Sequence, residues 1–260
     1  MNIYVMVDCE GISGIYDWEQ SRTVGGRHEE GRAYMTADIN ALAEGLKEAG
    51  VDKIIVRDCH SSAKNVIWDK LTPLVDYYFI GSGGGNRQQG IEDCDGLILL
   101  GYHAMAGTAG AFLNHTWSLD IQNLWINGRK SGEMAMDAGI AGDHGKPIIM
   151  VSGDDKACAE ARDFFPWVVT AEVKRGESPT GGFLLPQAKA HQLIRDKAKE
   201  AIKLFPQMKT YIVEKPITFR VEVTQRVKSP VESNRGYMRV IDNRTYEVTG
   251  DDMNEAVYKF

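Results

Sequence analysis

The chain begins with a short apolar run, Ile3 to Val7, which breaks off into Asp8-Cys9-Glu10-Gly11. The run reads as a strand, and its end constrains everything that follows. In an extended chain residues i and i+2 point to one face, so Asp8 and Glu10 leave the strand end together while Cys9 points the other way. Two carboxylates this close repel, and each raises the pKa of the other unless a cation or a shared proton neutralises them. Taken alone, a D-x-E pair is most simply a strand end that caps the next turn. It becomes a metal-site signal only if other ligands reach the same place.

The residues after it form a repeating pattern. A glycine-rich stretch over residues 11–27 is too long for a plain connection and is expected to border a site. Met35, Ile39, Leu42 and Leu46 fall at helical spacing, predicting a helix over about residues 29–49 with Gly50 as its left-handed cap. A strand over 53–57 completes a right-handed crossover with a parallel pair, and the buried run at 96–100 extends the same sheet. Between them Gly81-Ser82-Gly83-Gly84-Gly85-Asn86 lacks the spacing of a phosphate cradle and reads as a flexible loop. Asn127-Gly128 marks a hairpin. A helix over about 133–142, a strand over 147–152, a helix over 155–165 capped by Asp154 and a strand over 168–174 follow.

This alternation predicts an α/β fold, a mainly parallel sheet flanked by helices. Residues 176–182 are the expected linker. Beyond them a long helix opening at Pro186, an alternating run over 217–223 and a hairpin around Asp242-Asn243 predict a smaller C-terminal α+β lobe. The expected division is therefore residues 1–175 and 176–260.

Charge and composition exclude several classes. Thirty lysines and arginines stand against 36 acids, a net charge of −6, and without a basic run the chain lacks the electrostatics of a nucleic-acid binder. The N-terminus has no basic region followed by a long apolar stretch, and no apolar segment approaches bilayer length, so no membrane partner is expected and the cytoplasm is the expected location. The four cysteines lie far apart with no C-x-x-C pair, which suggests neither a disulfide framework nor a thiolate zinc site.

Polar residues cluster at the predicted strand ends. Asp8 and Glu10 follow the first strand, Asp58 and His60 the second, and His103 the third. Parallel strands put their carboxyl ends on one edge, where open α/β sheets hold their ligands, so these residues converge. The coincidence across three strands favours a metal site over three unrelated polar ends. Asp58 is expected to support a ligand rather than to be one, and Cys9 and Cys59 are expected to face away from the site.

The segments that carry these residues are D-C-E-G-I-S-G, D-C-H-S-S and G-Y-H-A-M-A-G-T, followed by N-H-T with His115 and by Glu133 in S-G-E-M-A-M. Together they resemble the bacterial D-aminopeptidase family of zinc peptidases associated with dipeptide-transport operons, over residues 1 to about 160. The resemblance implies that Asp8, Glu10, His60, His103 and Glu133 bind two zinc ions per subunit, with Asp8 bridging. It makes His115 the catalytic residue, and it implies a cytoplasmic homodecamer whose active sites face an inner channel that admits only short peptides. The D configuration of the residue removed is likewise implied by the resemblance alone.

Elementary chemistry agrees with that assignment. Mixed imidazole and carboxylate sets suit zinc, and sites of this kind with open positions are catalytic. The expected function is a binuclear zinc aminopeptidase acting on the N-terminal amide bond of short peptides, with residues 1–175 as the catalytic domain and the C-terminal lobe serving substrate selection and oligomer contacts. His115 then either attacks the carbonyl itself or acts as general base while a metal-activated hydroxide attacks, and the second is preferred. Two other readings stand beside it: a two-metal hydrolase of other amides or of phosphoesters, and a non-enzymatic α/β module that binds a small ligand.

Overall fold

Residues alternate along the first strand between two apolar faces. In the computed structural model, Ile3, Val5 and Val7 pack into one core with Met35, Ile39 and Leu42, while Tyr4 and Met6 pack into a second core on the other face. The strand is therefore buried on both sides, as central strands of parallel sheets are. The structure describes residues 1–22, 26–226 and 236–260.

The elements, in chain order, are β1 (Asn2–Val7), α1 (Trp18–Ser21), α2 (His28–Glu48), β2 (Lys53–Asp58), β3 (Tyr77–Phe79), β4 (Gly96–Leu100), β5 (Ile121–Ile126), β6 (Arg129–Lys130), α3 (Glu133–Asp143), β7 (Ile148–Asp154), α4 (Asp155–Phe164), β8 (Val169–Ser178), β9 (Gly181–Leu184), α5 (Gln187–Leu204), β10 (Ile217–Val223), β11 (Met238–Val240), β12 (Thr245–Gly250) and α6 (Met253–Lys259). A seven-stranded sheet runs in the order β3-β2-β1-β4-β7-β8-β9, parallel except for its last pair. The mainly parallel α/β architecture expected from the sequence is present. Helices α2 and α5 contribute to the core on one face, and α3 and the second sheet contribute to the core on the other.

That second sheet is antiparallel, in the order β11-β12-β10-β5-β6. It departs from the expected division of the chain in a specific way. β5, with β6 on its outer edge, pairs with β10 rather than with the first sheet, and α5 packs its Ala190, Ile194 and Ala198 into the first core. Residues 176–182, read as a linker, instead form the β8–β9 hairpin. Glycine and serine there make a tight turn, and composition alone does not distinguish a turn from a linker. The Asn127-Gly128 hairpin is as expected, with φ of 48° and 84° at the two turn positions.

One register detail matters below. Val7 pairs with Asp58 on one side and with Leu100 on the other, so β1, β2 and β4 end level with one another.

Candidate metal centre

Level strand ends bring their next residues together. Asp8, Glu10 and His103 are buried within three residues of those ends, and His60 stands beside them. The Asp8 carboxylate divides its two oxygens: Oδ1 lies 3.1 Å from His60 Nδ1, and Oδ2 lies 3.3 Å from His103 Nε2. Glu10 Oε2 is 3.2 Å from His60 Nδ1, and Glu133 Oε1 is 3.2 Å from His103 Nε2. Glu133 arrives by another route, as the first residue of α3 on the crossover between β4 and β7.

The loop after β1 is held by close packing. A Cβ on Gly11 would lie 2.0 Å from the Tyr102 carbonyl oxygen, so this position admits only glycine, and the Gly11 N–H donates to the Gly101 carbonyl at 2.7 Å. Ser13 bonds through both N–H and hydroxyl to the buried Asp38. The buried ammonium of Lys174 donates to the carbonyls of Glu10, Ile12 and Ile15 at 2.6, 2.9 and 2.6 Å. Glu10 is thus fixed through its backbone.

Backbone carbonyls set the histidine tautomers. His60 Nε2 donates to the Ser21 carbonyl at 2.7 Å, leaving Nδ1 toward the carboxylates. In His103 and His115 the roles reverse: Nδ1 faces the Ala104 and Leu113 carbonyls at 3.0 and 2.9 Å, leaving Nε2 toward the site. Each neutral ring would then present a lone pair inward, the arrangement that supporting hydrogen bonds impose on metal-ligating histidines. His115 stacks on His103 with ring centroids 3.9 Å apart, and its Nε2 is 3.9 Å from Glu133 Oε1.

Charge compensation in the polypeptide alone is strained. Burial disfavours an ionised Asp8, yet hydrogen bonds and charge from His103 and His60 hold its carboxyl well below the usual range. Burial likewise opposes ionisation of Glu10 and Glu133, but the neighbouring histidines lower both, Glu133 to about 2. Burial also disfavours imidazolium at His60 and His103, and the facing carboxylates overcome it and raise both. Even so, Glu10 Oε2 and His103 Nε2 are buried and, beyond the ionic contacts above, meet no group in well-aligned hydrogen-bond geometry. Cations would satisfy what protons do not. Three sets of ligand atoms lie within 4.8 Å of one another: Asp8, Glu10 and His60; Asp8, His103 and Glu133; and Glu10, His103 and His115. The donors are nitrogen and oxygen only, a set that fits zinc.

All six residues singled out from the sequence therefore meet at one edge. Of the supporting expectations one holds and one needs correction. Asp58 supports a ligand without being one: its carboxylate accepts from the backbone N–H groups of His60 and Asn65 at 3.1 and 2.6 Å and so shapes the loop that carries His60. Cys9 turns into the core as expected, but Cys59 lines the cavity beside Asp8 and His60, because the chain leaves strand geometry after Asp58 and alternation no longer applies.

Several contributors were not anticipated. Trp18 and Trp117 stand beside His115 in a cavity of about 470 Å³, and Trp117 donates its N–H to Glu133 Oε1 at 2.7 Å from a left-handed backbone with φ of 63°. Ser21 belongs to α1, whose capping box of Asp17 and Gln20 was a readable signal inside the supposed loop. Asp137, one turn beyond Glu133 on the same helix face, was also readable; it pairs with Arg87 at 2.6 Å.

An open α/β sheet that gathers two carboxylate–histidine triads on a shared aspartate at its carboxyl edge defines a candidate metal-dependent hydrolase. Comparison with known proteins gives the family. The D-aminopeptidase family matches residues 1–260, and this chain belongs to it. It is 34% identical over 204 residues to the D-aminopeptidase of Bacillus subtilis (strain 168), covering 78% of this chain and 74% of that one. It is also similar, at 28% identity and a TM-score of 0.94, to the solved structure of the Zn-dependent D-aminopeptidase DppA from Bacillus subtilis, described as a self-compartmentalizing protease, over 99% of this chain and 94% of that chain.

Proposed function

We propose that this protein is a zinc-dependent aminopeptidase that binds two zinc ions per chain and removes the N-terminal residue, of D configuration, from short peptides. The observation that carries the reading is the divided Asp8 carboxylate, one oxygen in each triad. Asp8, Glu10 and His60 would hold one ion and Asp8, His103 and Glu133 the other. Two ions so held supply Lewis acidity toward the scissile carbonyl and make a water easier to deprotonate near neutral pH.

The chain's own groups do the rest. His115, with Nδ1 fixed on the Leu113 carbonyl, uses Nε2 to take the proton of the attacking water and passes it to the departing amine. Direct attack by His115 on the carbonyl is the other role open to it. Trp18 and Trp117 wall the approach and limit water around His115.

Membership of the family also supports a homo-oligomer, with the decamer as the form the resemblance implies and residues 176–260 assigned to subunit contacts and substrate selection. No helix among the described residues is long and apolar enough to cross a membrane. A cytoplasmic location is part of the same proposal.

The test combines metal analysis with matched D- and L-alanyl dipeptides. Two zinc equivalents, turnover of the D-peptide, and a His115→Ala variant that keeps the zinc but loses turnover are expected. A zinc-free protein, or a His115→Ala variant with unchanged turnover, would sink the mechanism. Turnover of L-peptides only would overturn the stereochemical part.

A further inference from the structure

A second, smaller cavity of about 300 Å³ lies over the Asp8 and Glu133 side of the centre, with Arg87 and Trp117 in its wall. Its volume is at the lower end of small-molecule sites. Arg87 supplies the one guanidinium among its described lining residues.

That guanidinium is held in place from several directions. Nε and Nη2 reach the two oxygens of Asp137 at 2.6 and 3.1 Å, and Asp137, fully buried, also accepts from the Tyr102 hydroxyl at 2.7 Å. The Trp117 ring centroid lies 4.9 Å from Arg87 Cζ, and the Arg87 backbone N–H donates to Asn254. Nη2 is 3.9 Å from Glu133 Oε2, which puts the cation next to the proposed ligands. Nη1 has no hydrogen-bond partner among the described residues, and the side chain keeps 12% exposure. With the Nε edge occupied by Asp137, the Nη1–Nη2 edge remains as a preorganised fork, and such a fork matches a carboxylate.

We propose that Arg87 is a substrate-binding residue that receives the terminal carboxylate of a dipeptide, so that unblocked dipeptides are the favoured substrates. This deepens the aminopeptidase reading and rests on it. A purely structural Arg87, present only to neutralise Asp137, would not distinguish a dipeptide from its amide. The competing cation is the exposed Arg22, which stands over Trp18 in the larger cavity.

The experiment compares kcat/KM of the zinc-loaded protein for D-alanyl-D-alanine and for D-alanyl-D-alanine amide. Wild type is expected to favour the free acid by roughly 10- to 100-fold, the range for a hydrogen bond to a charged group. Arg87→Met is expected to collapse that ratio toward one by lowering the free-acid value alone. Because Arg87→Met leaves Asp137 unpaired, the double variant Arg87→Met/Asp137→Asn is measured beside it, and Arg22→Gln is expected to keep the ratio.

No preference in wild type, an equal loss on both substrates in the single and double variants, or collapse of the ratio in Arg22→Gln would overturn the proposal. If wild type hydrolyses neither compound, the activity reading fails, and calorimetry with a non-hydrolysable phosphinic isostere and its carboxamide decides the carboxylate site alone. The same ratio in Kd, lost in Arg87→Met, supports it; equal Kd values or no binding overturn it.

Discussion

Replacing Glu160 by glutamine tests a buried carboxyl that anchors the backbone two residues beyond His103. Glu160 lies on α4 with Oε2 accepting from the Met105 N–H at 2.8 Å, while Oε1 is buried without a partner. Burial pushes its carboxyl up from 4.5 to about 7, against the lowering effect of the Met105 hydrogen bond and of His103. The folded pKa is thus raised above the unfolded one. The folded state holds an extra proton between those values, so the stability this group contributes is complete below pH 4.5 and is lost as pH rises through 7.

At 1.36 kcal/mol per pH unit, the full loss is about 3 kcal/mol. Glu160→Gln keeps an oxygen for Met105 and removes the titration. Wild type and variant should agree within about 1 kcal/mol at pH 5, and the variant should be the more stable by about 3 kcal/mol at pH 8. For a chain of this size that is roughly 6–12 °C in Tm. Thermal and urea melts at pH 5, 6.5 and 8 would be run on chelator-treated protein, because a bound cation nearby draws a carboxyl pKa down. Titrations elsewhere cancel in the wild-type-minus-variant difference. Parallel pH profiles for the two proteins, or a variant less stable at pH 8, would refute the reasoning.

Three further outcomes are expected. Zinc binding to chelator-treated protein at pH 7 should release close to two protons per chain, because the carboxylates hold His60 and His103 protonated and a metal displaces those protons; calorimetry in buffers of different ionisation enthalpy measures this, and release near zero would contradict it. Gly11→Ala should cost about 2–4 kcal/mol and weaken zinc binding, since its Cβ would collide with the Tyr102 carbonyl and displace the loop that carries Glu10; a wild-type denaturation midpoint would show that the loop yields. Asp8→Ala should lose both zinc ions, whereas Glu10→Ala should lose one first, and identical metal-titration curves would argue against a shared Asp8.

Much of this molecule was legible in one dimension because periodicity and capping are local. The apolar runs of β1, β2 and β4, the helical spacing of α2 and the Asp154 cap of α4 each rest on neighbouring residues and match the structure closely. The approach of Asp8, Glu10, His60 and His103 was also readable, since parallel strands share a carboxyl edge whatever loops join them. His115 and Glu133 were reached only through family resemblance, because a crossover helix and a loop carry no period that says where they return.

What remained belongs to tertiary structure. The pairing of β5 with β10, as in Ile126 with Phe219, is a choice between sheets that a strand's own pattern does not make. A bulge pairs Asp154 with Lys174 in place of Val173, and that single extra residue turns a lysine into the interior beneath the Glu10 loop. Arg87 becomes a fixed cation only because Asp137 meets it from another element. The sequence by itself determined the strands, the helices and which ligands could share an edge, through side-chain alternation and hydrophobic period. Tertiary packing alone decided which buried charges face one another, because that depends on contacts between residues with no local relation in the chain.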